Sequence, residues 1–160
     1  MVACISDQPL YAIANGLRPD HVDIVFFPPN QPARLRVLSR TFHPLLLLRI
    51  ELSCTLKAGS RNIYASEVVA YTYRIQATAD AELPAYHWHP YGISDQRDPH
   101  LHLSHHIDPT SSGVPPLSGM HLPTGPIELS SIVRLLIEEF KIEPRREDWR
   151  DVLSRSVVSD

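Results

Sequence analysis

The sequence predicts an α+β domain, an antiparallel sheet of about five strands with two C-terminal helices packed on one face. Three observations lead there. Residues 45–59 (LLLLRIELSCTLKAG) and 67–78 (EVVAYTYRIQAT) alternate apolar and polar side chains, the period of a half-buried strand. Residues 128–140 (ELSSIVRLLIEEF) repeat instead at helical spacing. Strands come first and helices last, the order of a sheet covered on one face.

Residues 1–45 are weakly patterned. HVDIVFF (21–27) reads as a short strand, and PPNQP (28–32) ends it, because proline cannot donate to a ladder. RLRVLS (34–39) alternates again. In 45–59, Leu48, Ile50, Leu52, Cys54 and Leu56 share one face, and Arg49, Glu51, Ser53 and Thr55 share the other. GSRN (59–62) is a turn signal. Beyond it Val69, Tyr71, Tyr73 and Ile75 fall on one face, so the two runs read as an antiparallel hairpin. AYHWHPY (85–91) and HLHLS (100–104) are shorter strands around a polar loop, GISDQRDP (92–99). DPTSSGVPPLSG (108–119) is rich in Pro, Ser and Gly and reads as a flexible loop. HLPTG (121–125) is a tight turn leading into the first helix, whose stripe is Leu129, Ile132, Val133, Leu136, Ile137 and Phe140. Pro144 ends that helix. RREDWRDVLSR (145–155) forms a second, short one, docked by Trp149. The whole, 1–160, reads as a single domain with an N-terminal part (1–45), a sheet with His-rich strands (45–107), a loop (108–119) and C-terminal helices (127–155).

Composition limits the function. With 160 residues and 43% hydrophobic content, the chain can bury a substantial core. A net charge of -3 with neutral His excludes a basic protein that coats nucleic acid. Protonation of several of the nine His near pH 6 reverses that sign, so a phosphate-bearing partner stays compatible. Cys4 and Cys54 have no CxxC spacing and read as buried or free thiols in a reducing compartment. The first residues, MVACISDQPLY, lack the basic start and apolar core of a signal peptide. The strongest apolar run, near residues 45–50, is far shorter than the roughly 20 residues of a membrane span. These features point to a soluble, cytoplasmic protein with no membrane partner.

The most informative stretch is His87–His106, HWHPYGISDQRDPHLHLSHH, which holds six of the nine histidines. In a strand, residues two apart share a face, so His87 pairs with His89 and His100 with His102. If the two strands are neighbours, four imidazoles crowd one patch while Tyr86, Trp88, Leu101 and Leu103 face the core. Three readings are open. A metal site would use His87, His89, His100 and His102, with a carboxylate from Asp95, Asp98 or Asp108; a divalent ion, zinc or nickel, suits such donors. A proton-transfer site for metal-independent RNA cleavage needs no cofactor: His100 or His102 serves as base and His89 or His121 as acid. Arg74 or Arg97 then holds the phosphate. Tyr73 joins these two arginines as a candidate substrate contact, or belongs to the core. The third reading is a solvated strand face that uses His without any ligand. HLHLSHH also resembles the opening of a histidine-triad motif, but Ser104 stands where the third His belongs. A cupin would need a Glu in register after the His pairs.

YTYRIQ (71–76), HWHPY (87–91), PHLHL (99–103) and GPIELSSIVRLLIEEF (125–140), in that order, resemble the TumE-like toxin family of prokaryotic toxin–antitoxin pairs over about residues 67–140. The N-terminal 45 residues, the long loop and the Trp149 helix lie outside the resemblance. It implies a toxin acting on RNA or translation, paired with a small helix-turn-helix antitoxin. It points to His100 and His102 as site residues, followed by His89 and Arg74. A homodimer is left open.

Overall fold

A computed structural model describes residues 1–7, 22–26, 33–36, 45–58, 64–78, 81–91, 95–104 and 116–155. At 22–26, 33–36, 56–58 and 64–65 it describes the backbone only. The architecture is α+β. The strands are β1 (Val22–Phe26), β2 (Ala33–Arg36), β3 (Leu45–Ala58), β4 (Tyr64–Thr78), β5 (Ala81–Trp88), β6 (His100–His102) and β7 (Leu122–Pro123); α1 (Leu129–Glu138) and α2 (Trp149–Ser154) follow. Every described pairing is antiparallel, in the order β1-β3-β4-β5-β6-β7, with β2 also paired to β3.

The long hairpin forms as its alternation requires. Leu48, Ile50, Leu52 and Cys54 of β3 are buried on the face they share with Tyr71, Tyr73 and Ile75 of β4. The GSRN turn and most of the 108–119 loop lie outside the described residues. β5 begins at Ala81, earlier than the alternation of 85–91 suggests, and its pairing with β4 shifts register twice between Arg74 and Thr78. Pro84 sits in that stretch; it cannot donate to a ladder, and it hides the strand from a periodicity count. The HLPTG turn contributes a two-residue edge strand, β7, paired to β6.

Both helices cover the apolar face. Ile132, Val133, Leu136 and Ile137 of α1 and Trp149 and Leu153 of α2 join the buried residues of β3 and β4 in one core. Val2, Cys4 and Ile5 complete it, held in part by the Arg145 amide donating to the Cys4 carbonyl at 2.8 Å. Both cysteines are free and buried. The apolar stripe runs to Phe140, but α1 stops two residues sooner. Lys141 takes a left-handed φ of 57°, and the Ile142 amide turns back to the Leu136 carbonyl at 2.9 Å. Among the described residues, no helix is long and apolar enough to cross a membrane.

Candidate metal centre

The second face of the sheet carries the histidines. Thr72, His87 and His100 are successive partners across β4, β5 and β6, and Arg74, Ala85 and His102 form the neighbouring row. Side chains directly opposite on antiparallel strands stand about 5 Å apart, so the pairing itself brings the imidazoles together. The His87 and His102 rings are 4.9 Å apart, His100 and His102 5.0 Å, and His87 and His100 5.7 Å. His121 lies just before β7. Its ring stands 4.6 Å from His102 and 4.9 Å from His100. Tyr86 and Trp88, alternating with the histidines of β5, pack against the core on the other side.

His87, His100 and His102 can hold a metal ion: each offers one ligand nitrogen, and the three lie within 4.8 Å of one another. Around a tetrahedral ion bound at about 2.1 Å, neighbouring ligands are roughly 3.4 Å apart. Binding such an ion requires side-chain rotation that draws the three nitrogens closer.

Hydrogen bonds orient two of the rings. His100 is 5% exposed, and its Nδ1 is 2.7 Å from the Asp98 carbonyl oxygen. A carbonyl only accepts, so Nδ1 carries the proton and Nε2 keeps its lone pair for a metal. Asp98 thus acts through its backbone and not through the carboxylate expected of it. His89 is engaged elsewhere: its Nε2 is 3.0 Å from the hydroxyl of Thr72, which is 2% exposed. Its ring is 5.8 Å from that of His87, at the rim of the cluster. The His87 Nε2 is buried and has no hydrogen-bond partner among the described residues.

The electrostatics favour neutral rings. Burial, reinforced by His102, Arg74, His89 and His100, pulls the His87 pKa down to about 3. Burial also lowers His102, helped by His121, His100 and Arg74. It lowers His89 too, with His100 adding to the effect and Glu51 opposing it. Neutral imidazole is the form that ligates metals.

The other candidates fall in three places. Arg74 shares the histidine face and sits 3.6 Å from the Glu82 carboxylate. Its register partner Arg49 is tied to Glu51 at 2.8 Å. Arg97 is exposed on the segment leading into β6, as is Asp95. Tyr73 belongs to the opposite face: it is 1% exposed, stacks on Tyr71 at 4.8 Å, and lines a cavity of about 480 Å³ between the sheet and the start of α1. The sheet separates it from the imidazoles, so it is not a substrate contact for them. His105, His106 and Asp108 lie outside the described residues. Sequence reasoning missed Thr72 and the Asp98 carbonyl. Thr72 had a readable signal, since it alternates with Tyr71 and Tyr73 and shares a face with Arg74; a backbone carbonyl leaves none.

Compared with family models, with curated proteins and with solved structures, the chain shows no significant match.

Proposed function

We propose that this protein binds a divalent transition metal through His87, His100 and His102, with the His121 ring beside them. Zinc and nickel suit an all-imidazole donor set. The observation that carries this reading is the convergence of three ligand nitrogens within 4.8 Å on two directly paired strands. Two features support it. The His100 tautomer leaves the Nε2 lone pair available as a ligand, and the buried His87 Nε2 has no hydrogen-bond partner among the described residues. Cation-free burial of such a nitrogen is costly, and a metal satisfies it.

The ribonuclease reading, with an RNA substrate and an antitoxin partner, shares His100 and His102 with the metal site, adds His89 and His121, and ranks second. Arg74 on the same face favours it, as a phosphate clamp. It needs one imidazolium at neutral pH, from His89 or His121, and the burial that lowers His89 works against that residue in the role.

Elemental analysis of untagged protein separates the two. The metal reading expects about one zinc or nickel per chain, lost in His100→Ala/His102→Ala. A metal-free protein that cleaves RNA in the presence of chelator would replace it with acid–base chemistry.

A further inference from the structure

We infer that the metal-loaded site takes a phosphoryl oxyanion, with one oxygen on the metal and another on Arg74. This rests on the metal centre proposed above and specifies what its open coordination position receives.

The geometry begins with register. Arg49, Arg74, Ala85 and His102 form one cross-strand row, so Arg74 and His102 are two strands apart on one face with only a methyl side chain between them. Two strand spacings amount to about 10 Å, a gap that a long guanidinium side chain and an imidazole close from either end. Ala85 is fully covered. Any larger residue there would stand between the two.

Arg74 is the cation of this row left to act. Arg49 is held by Glu51 through a 2.8 Å hydrogen bond. The Arg74 Nε is buried without a hydrogen-bond partner among the described residues, and Glu82 at 3.6 Å supplies charge but no hydrogen bond to it. The His87 Nε2 is orphaned on the same face. The His87 nitrogen, in the tautomer that leaves its lone pair at Nε2, is satisfied by a cation. The Arg74 Nε is a donor that an anion satisfies.

Charge selects the class of anion. The three ligands are neutral, so a bound divalent ion keeps both its charges. Arg74 adds one and Glu82 removes one, which leaves two positive charges. A phosphate-ester dianion cancels both, whereas a carboxylate leaves one uncompensated. Guanidinium also matches the oxygen spacing of a phosphoryl group.

Cobalt(II) serves as a visible-absorbing probe of both steps. The full-length protein is loaded with cobalt, the d–d spectrum is recorded, and phenyl phosphate or acetate is titrated in. The wild-type spectrum is expected to shift with phenyl phosphate and to need at least about tenfold more acetate, a difference typical of a charge-assisted contact. Arg74→Gln should bind cobalt as before and weaken phenyl phosphate about tenfold or more. Arg74→Lys, which keeps the charge and the fold but loses the fork, should fall between. Cobalt binding with a spectrum indifferent to phenyl phosphate, or equal phosphate affinity in the Arg74 variants, overturns the inference alone. Absence of any cobalt spectrum overturns the metal centre and the inference with it.

Discussion

His100 shows how much one side chain can be decided by a backbone atom. The Asp98 carbonyl fixes its tautomer, and the ring is buried at 5% exposure. His89 is its contrast: the same residue type, two positions beyond His87, yet bonded to Thr72 and outside the three-nitrogen group. The two should respond differently to mutation. His89→Ala is expected to keep the metal stoichiometry, with an affinity loss no larger than the roughly 10- to 100-fold of a supporting residue. His102→Ala should lose stoichiometric binding. Titration of both variants with zinc in a competing-chelator assay checks this, and equal losses would place His89 among the ligands.

The elements explain why the cluster forms where it does. β3 and β4 are a long hairpin with one apolar face, and that face is used up by α1, α2 and the N-terminal residues. The opposite face is free to carry polar groups. β5 and β6 extend the sheet while keeping the same alternation, so their histidines land on the polar side without disturbing the core. The arrangement depends on α1 holding the sheet from below. Leu136 is completely buried at the centre of that helix. Leu136→Ala is expected to cost about 2–5 kcal/mol, the usual range for a leucine truncated inside a packed core. Urea unfolding measures it, and a loss under about 1 kcal/mol would mean that α1 contributes little to the core.

At the scale of the whole molecule, burying several neutral imidazoles makes stability depend on pH. His87 titrates near 3 when folded and near 6.5 when unfolded. Below pH 6.5 the unfolded chain therefore binds more protons than the folded one. Stability of the metal-free protein is expected to be flat with respect to this group above that pH and to fall as pH drops from about 6.5 toward 3. His102 and His89 shift in the same direction and steepen the fall. Thermal melts in chelator across this range test the sign, and rising stability on acidification would contradict it. A metal that binds only the folded state stabilises it further, by about 2.7 kcal/mol when free metal is 100 times Kd. The melting temperature should rise with zinc or nickel and return to its starting value with chelator. In His100→Ala/His102→Ala that rise should vanish.

The strand alternation of 45–58 and 67–78, the helical stripe of α1 and the anchoring role of Trp149 were all legible in the amino-acid sequence, because each is a local period imposed by backbone geometry. Local period also put His87 with His89 and His100 with His102. It could not tell which pairs would meet, since that depends on β5 and β6 lying side by side in a register that sets His87 opposite His100. Nor could it place His121, which reaches the cluster only because β7 pairs with β6. Tyr73 illustrates the same division: its face was readable, but its place on the far side of the sheet from the histidines followed only once the strands were joined. Periodicity along one strand determines which side chains share a face. Hydrogen bonding between strands distant in sequence decides which of those faces becomes a site.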